Sequence, residues 1–318
     1  MPSILFLSSE LDSAPTQARA VAYFDLLHSH GWEPQHITIQ RGLLNKTLLL
    51  ASVRQADVVV LLRKIIRQPF LKLLRANCRR LIYDFDDAIF MRDNGQPCKR
   101  RMQQFAMMLN HCHLAWAGNH YLKMIAETIA TDVSYIPTSV DMTHYAQSLP
   151  KPTDSFDLVW IGSSSTKKYL IDIIPILETL AQTWPELRLK IIADFTLETR
   201  YLEVLPIQWT AESQAEHLAS SHVGIAPMID DPWTRGKCAF KVIQCMAAGL
   251  PVITSPVGVN KEVVLHNITG FLADNLEEWK QALIQLRDSA CRERMGNASR
   301  ERIQTYHFVV AQVMPPPE

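Results

Sequence analysis

Short apolar runs alternate with longer amphipathic stretches along the whole chain. Residues 3–8 (SILFLS), 33–39, 57–62 (DVVVLL), 80–83, 114–117 and 133–136 have the length of strands. The run at 57–62 is apolar at nearly every position, as a strand buried on both faces of a parallel sheet requires. Helical spacing of apolar residues predicts a helix over 17–30, with Ala18, Val21, Ala22, Leu26 and Leu27 inward and Gly31 as its cap, after a loop at 9–16. Further helices are predicted over 69–76 and 121–129. After a linker marked by Pro150 and Pro152 the pattern resumes. Strands are expected at 157–161, 187–193, 207–209, 223–227 and 252–254, with a turn and short strand at 267–272. Helices are expected at 169–183, 212–219, 237–248, 260–265, 275–286 and 291–306, and a frayed tail at 314–318. Strand–helix alternation of this kind builds an α/β, doubly wound parallel sheet.

Three stretches carry candidate chemistry. Asp84, Asp86 and Asp87 follow the strand at 80–83. Carboxylates so close together are costly to bury and belong at the C-terminal edge of a sheet, where α/β proteins place ligands; an exposed acidic loop or a helix cap is the alternative. Residues 162–166 (GSSST) lie between a strand and a helix and are followed by Lys167 and Lys168, so Gly162, Ser163 and Ser164 can offer backbone N–H groups to an anion. On the helix predicted over 237–248, Lys237, Lys241 and Gln244 are spaced i, i+4, i+7 on one face, with Arg235 just upstream. That is a seat for a phosphate or diphosphate, or else a solvated basic face. Gly249 and Pro251 end the helix.

The stretch from Trp233 to Gly258 (WTRGKCAFKVIQCMAAGLPVITSPVG) resembles the signature helix of glycosyltransferase family 4, which has the GT-B fold and uses nucleotide-sugar donors. The family's two signature glutamates fall on Gly236 and Gln244, so neither carboxylate is present; the Lys-x3-Lys-x2-Gln text resembles a sub-branch. YDFDDAIF at 83–90, IPTSVD at 136–141 and TQARAV around Arg19 extend the resemblance through the first half. It implies two facing Rossmann-like domains with an interdomain cleft. Residues 1–150 would be the acceptor side and 151–291 the donor side, with 292–318 returning to the first domain as a terminal helix and tail. It implies sugar transfer from a UDP- or GDP-sugar to a glycan, lipid or small-molecule hydroxyl, with retention of configuration, as in cell-surface polysaccharide biosynthesis. Asp86 or Asp87 would assist the acceptor hydroxyl or hold the sugar. Arg19, Gly162, Ser163, Ser164, Lys167, Arg235, Lys237, Lys241, Gln244 and Glu262 would contact substrate. No metal and no cofactor are expected, the basic residues neutralising the diphosphate. The missing glutamates leave open a catalytically degenerate subunit that binds sugar nucleotides, and the fold leaves open a UDP-sugar epimerase. An NAD or flavin enzyme lacks its glycine fingerprint here.

Charge and cysteine usage narrow this further. The 318 residues have zero formal net charge, which gives no general attraction to nucleic acid. Between Arg41 and Arg80, however, ten Lys/Arg face a single acid, Asp57. This region reads either as solvated helix faces or as a contact for anionic lipid or a phosphate-bearing acceptor. Six cysteines without a C-x2-C pair, no signal peptide and no membrane-length apolar run point to the cytoplasm, with peripheral contact at the inner membrane face. The His111-Cys112-His113 triplet reads as helix packing rather than a metal site.

Overall fold

The structure, a computed structural model, describes residues 1–40, 42–145 and 149–313; Arg41 and the expected frayed tail at 314–318 lie outside the described residues. The chain divides into two compact units. Met1–Asp141, Asp231–Cys238 and the described residues from Phe308 onward form one, and Met142–Asp230 with Ala239–His307 form the other.

In the first unit, β1 (Ser3–Ser8), β2 (Glu33–Thr38), β3 (Val58–Leu62), β4 (Arg80–Phe85), β5 (Leu114–Ala117) and β6 (Val133–Tyr135) pair in parallel in the order β2-β1-β3-β4-β5-β6. Every residue of β3 is buried, which explains its unbroken apolar text. The helices are α1 (Ala14–Arg19), α2 (Phe24–Ser29), α3 (Leu43–Gln55), α4 (Gln68–Asn77), α5 (Lys99–His111) and α6 (His120–Glu127). Two differences from the sequence reading are informative. The single helix expected at 17–30 is broken into α1, a 3-10 turn at Val21–Tyr23 and α2. Helix α1 also starts earlier than expected, because Pro15 sits in its first turn, where a missing N–H costs nothing. The break at Ala20 accompanies two buried anchors. Arg19 donates to the Ile136 carbonyl at 2.5 Å, and the Tyr23 hydroxyl donates to the Pro137 carbonyl at 2.5 Å. Helix α5, absent from the apolar reading, buries only Phe105, Met108 and Leu109. Its Phe105 ring meets Phe85 edge-on at 4.9 Å and Phe90 at 5.1 Å, fixing the chain that leaves β4.

In the second unit, β7 (Phe156–Ile161), β8 (Leu187–Ile192), β9 (Glu203–Ile207), β10 (Val223–Ala226), β11 (Val252–Thr254) and β12 (Gly270–Leu272) form a parallel sheet in the order β12-β11-β10-β7-β8-β9. Its helices are α7 (Lys167–Ala181), α8 (Gln214–Ala219), α9 (Phe240–Ala247), α10 (Asn260–Val263), α11 (Leu276–Leu286) and α12 (Ser289–Val313) as far as His307. Leu158, Leu170, Leu177, Leu189, Val223 and Leu283 are fully buried in one core that joins sheet and helices. Strand β9 runs over 203–207 rather than the expected 207–209, since it is an edge strand with no clear apolar alternation; Trp209 lies beyond it and donates its indole N–H to Gln214 at 3.0 Å. Helix α9 ends as expected, in a Schellman motif. Gly249 is left-handed (φ 77°), its N–H reaches the Met246 carbonyl, and the Leu250 N–H reaches Cys245.

Candidate functional site

In each unit the strand order reverses about one point, between β1 and β3 in the first and between β7 and β10 in the second. Ligands of open α/β sheets bind beyond the C-terminal strand ends at such a point. The candidate residues collect at these ends.

In the first unit, β3 leads into Arg63, which is left-handed at φ 53°, a conformation that a non-glycine residue adopts only when its surroundings enforce it. The guanidinium Nε lies 3.2 Å from Asp86 Oδ1 and Nη2 donates to Asp87 Oδ2 at 3.0 Å. Asp86 first, and then Asp87 against the cost of burial, push the Arg63 pKa up. Lys237 reaches the same carboxylate, 3.2 Å from Asp87 Oδ1 and 3.1 Å from Oδ2, and its ammonium sits 3.6 Å from the centre of the Trp233 ring. The segment 231–238 therefore belongs to this end of the first sheet. Asn119, at the end of β5, caps α6 through Leu122 N–H and donates its amide to the Arg235 and Lys237 carbonyls, both at 3.1 Å. Two glycines permit the close packing. A Cβ on Gly236 would stand 2.8 Å from the Ala88 nitrogen, and one on Gly118 would stand 2.6 Å from Cys238 Sγ and 3.0 Å from Asp86 Cα.

The acidic cluster is thus three carboxylates in three settings. Asp84 is fully buried inside β4 and pairs with Arg19 through two hydrogen bonds, one of 3.1 Å from Nε to Oδ2 and one from Nη2 to Oδ1. Burial opposes the Arg19 charge, but Asp84 outweighs it and pushes that pKa up. Asp87 accepts from Arg63, from Lys237 at both oxygens and from the Ala88 N–H at 3.0 Å, which fills its acceptor capacity. Among the described residues Asp86 forms an ion pair with Arg63 alone, and its Oδ1 is buried without a hydrogen bond.

In the second unit, β7 ends at the Gly162 loop. Lys241, on α9, donates to Thr166 Oγ1 at 2.7 Å and lies 4.7 Å from the centre of the Trp160 ring. A Cβ on Gly162 would come within 2.6 Å of the Lys241 Nζ and 2.1 Å of the Trp160 ring, so the ammonium lies directly against the loop backbone. The loop amides are less open than expected. Gly162 N–H bonds Ile192, Thr166 N–H bonds Ser163, and the Ser164 N–H and hydroxyl both bond Asp194, at 3.1 and 2.7 Å. The Ser164 hydroxyl holds the exposed Asp194 carboxyl below its ordinary pKa. Lys167 stands over the Phe195 ring at 4.8 Å.

The expected common face of Lys237, Lys241 and Gln244 does not form. Ala239 is left-handed (φ 55°) and α9 begins only at Phe240, so Lys237 lies on extended backbone before the helix. Gln244 is buried, donating to the Tyr145 hydroxyl at 2.8 Å and to Gln214 at 2.9 Å, which commits it to the protein interior. Arg19 is likewise an internal anchor rather than a surface contact, at 1% exposure. Arg235 is exposed, its carbonyl held by Asn119, and Glu262 is exposed on the short α10. Arg63, Asn119, Trp160 and Asp194 were not singled out from sequence; each lies at or just past a strand end, the position that marks them. In the basic region, Arg63 pairs with the aspartates, Lys64 with the Ile39 carbonyl and Arg79 with Asp57. The His111 ring bonds the Met107 carbonyl at 2.8 Å, and His113 Nδ1 accepts from the Leu81 N–H at 2.8 Å, so both serve packing. All six cysteines are free thiols, and among the described residues no helix is long and apolar enough to cross a membrane.

Residues 155–289 match the family model for glycosyl transferases group 1. No curated protein sequence matches the chain. Among solved structures, a sucrose-phosphate synthase from Thermosynechococcus elongatus is 14% identical, with 99% of this chain and 97% of that chain aligned at a TM-score of 0.69. Anabaena HepE in complex with UDP-glucose is 15% identical over 98% of each chain, with a TM-score of 0.65. A glycosyltransferase from Rickettsia africae is 13% identical over 99% of each chain, with a TM-score of 0.67. The chain has the GT-B fold, and its residues 155–289 match the group 1 glycosyl transferase model.

Proposed function

We propose that the protein transfers a sugar, of the hexosyl type, from a nucleotide diphosphate donor to a hydroxyl of a glycan, lipid-linked or small-molecule acceptor. One observation carries this reading. In the domain that matches the family, an ammonium group is fixed against the glycine loop at the end of β7, held by Thr166 and Trp160. A fixed cation there suits a leaving diphosphate, whose negative charge grows as its bond to the anomeric carbon breaks. Anabaena HepE, which shares the fold, is described in complex with UDP and with UDP-glucose, and this favours a UDP-sugar. Asp86, with spare acceptor capacity, is the carboxylate that would hold an acceptor or sugar hydroxyl, while Asp87 orients Lys237 and Arg63. Retention of configuration follows the resemblance to family 4. The lysine supplies the charge that a metal would otherwise supply, so transfer should persist in EDTA. Peripheral attachment at the inner membrane face through the remaining basic residues of α3 and α4 would suit a lipid-linked acceptor.

The absence of glutamate at positions 236 and 244, with Gln244 held inside the protein, favours a second reading: a subunit that binds a sugar nucleotide without transferring it. A panel of UDP-, GDP- and TDP-sugars separates the two. Thermal stabilisation by one of them identifies the donor through linkage. Release of nucleoside diphosphate when acceptors are added supports transfer, binding without release supports the second reading, and no stabilisation by any sugar nucleotide contradicts both.

A further inference from the structure

A second basic site lies at the opposite end of the second unit's sheet. A cavity of about 600 Å³ opens where β7 and β10 begin and α9 ends, bordered by Lys151, His222, Gly249, Arg292 and Arg300. Its volume is that of a small-molecule pocket. It stands one strand length from the Gly162 loop, about 20 Å for a six-residue strand at roughly 3.3 Å per residue.

Three side chains in this cavity are cationic; Asp288 acts at a distance on Arg292 alone, against the burial that lowers its pKa. Among the described residues none of Lys151, Arg292 and Arg300 forms an ion pair with a carboxylate. The carboxylates nearby are otherwise engaged or face solvent. Asp157 pairs with Arg188 at 2.7 Å and Lys190 at 3.1 Å. Asp288 caps α12 through the Ala290 and Cys291 N–H groups, both at 3.2 Å. Glu293, on the cavity border, is exposed. Arg292 Nη1 donates to the Leu286 and Arg287 carbonyls, and Arg300 Nη2 donates to the Tyr145 carbonyl at 3.3 Å; these contacts aim the guanidinium groups without cancelling their charge. The Arg300 guanidinium packs beside the left-handed Gly249, 3.5 Å from where a Cβ would stand, an ordinary contact distance.

The histidine adds no charge but shapes the wall. His222 Nδ1 accepts from the Asp157 N–H at 2.9 Å, so in the neutral ring Nε2 carries the proton and donates to the Pro152 carbonyl at 3.1 Å. Burial, then Arg292, push its pKa down to about 4. Burial, then Arg292 and Arg300, push Lys151 down to about 8. These shifts agree with the geometry: the cations crowd one another in a half-buried cavity, and an anion placed among them would relieve the repulsion.

We propose that this cavity binds a free, phosphate-bearing small molecule, held by Lys151, Arg292 and Arg300 and separate from the donor site at Lys241. Two guanidinium groups and an ammonium around one cavity match the oxygens of a phosphate or diphosphate, which accepts charge-assisted hydrogen bonds.

Inorganic pyrophosphate, titrated calorimetrically into the full chain, tests this. The Lys241→Met variant removes the donor-site lysine, and pyrophosphate should still bind it. Adding Lys151→Met and Arg300→Met to that variant should weaken the remaining binding at least roughly tenfold, as expected for the loss of charge-assisted contacts. A Lys241→Met protein that no longer binds pyrophosphate, or a triple variant that binds it as Lys241→Met does, overturns the proposal. A second measurement needs no substitution. Lys151 should be acetylated readily by acetic anhydride near pH 8, and saturating pyrophosphate should protect it, as read by peptide mass spectrometry. Unchanged acetylation of Lys151 overturns the proposal as well.

Discussion

Arg19 and Asp84 are each about 1% exposed, and the fork of the guanidinium closes on both carboxylate oxygens. Replacing one member of such a pair leaves the other charge buried alone, which costs about 3–5 kcal/mol. Asp84→Asn should therefore lose about that much stability in urea unfolding, and a loss below about 1 kcal/mol would mean that Arg19 finds another partner. Asp86 and Asp87 should behave differently from Asp84 and from each other. Asp86→Asn is expected to lower turnover far more than donor affinity, because its partner would be a reacting or positioning hydroxyl. Equal turnover by Asp86→Asn and the parent protein would remove that role. His222 gives a pH signature. The folded ring stays neutral down to about pH 4, while in the unfolded chain a histidine takes up its proton near its ordinary pKa of about 6.5. Between those values the unfolded state binds more protons. The contribution of His222 is thus fully present above pH 6.5 and is lost as the pH falls towards 4. Arg292, Lys151 and Asp157 are the charged groups acting on the ring. His222→Gln should flatten the fall in urea midpoint between pH 6.5 and 5; an unchanged slope would assign that fall to other groups.

The element that sequence reasoning misplaced is the segment 231–238. Its lysine, read forward, continues the helix of Lys241, since alanine at 239 is the best helix former and nothing in the text marks a left-handed turn there. The structure turns at Ala239, so the segment lies on the first unit's sheet end, against Gly118 and the chain after β4. The turn follows from tertiary packing, which local propensity does not encode. The two glycines that admit the segment are the legible trace, in that both stand where a side chain would collide. Gly236→Ala must displace the Ala88 backbone, and such overpacking costs about 1–3 kcal/mol. It should also free the exposed Arg235 for tryptic cleavage at a higher rate than in the parent chain. Unaltered stability and cleavage would show that the segment has room the structure does not offer. Helix α5 and strand β9 were missed or shifted for a simpler reason: one buries three residues among charged and polar neighbours, and the other is an edge strand.

At the scale of the molecule, the two doubly wound parallel sheets were legible because their central strands are buried on both faces and read as continuous apolar text, as at 58–62 and 158–161. Where the ligand-side ends lie was legible for the same reason. What was not legible was the division of labour among the basic residues, which depends on partners distant in sequence: Asp87 lies 150 positions from Lys237, and Thr166 lies 75 from Lys241. That division makes the central claim testable. On the proposed function Lys241 would hold the diphosphate, whereas Lys237 binds the aspartate cluster. Calorimetric affinities for UDP should be compared in the parent chain, Lys241→Met and Lys237→Met. Loss of a charge-assisted contact worth roughly 1.5–3 kcal/mol predicts that Lys241→Met weakens UDP by about ten- to a hundredfold, with Lys237→Met close to the parent. Undiminished UDP binding by Lys241→Met, or a larger loss in Lys237→Met, would contradict the account.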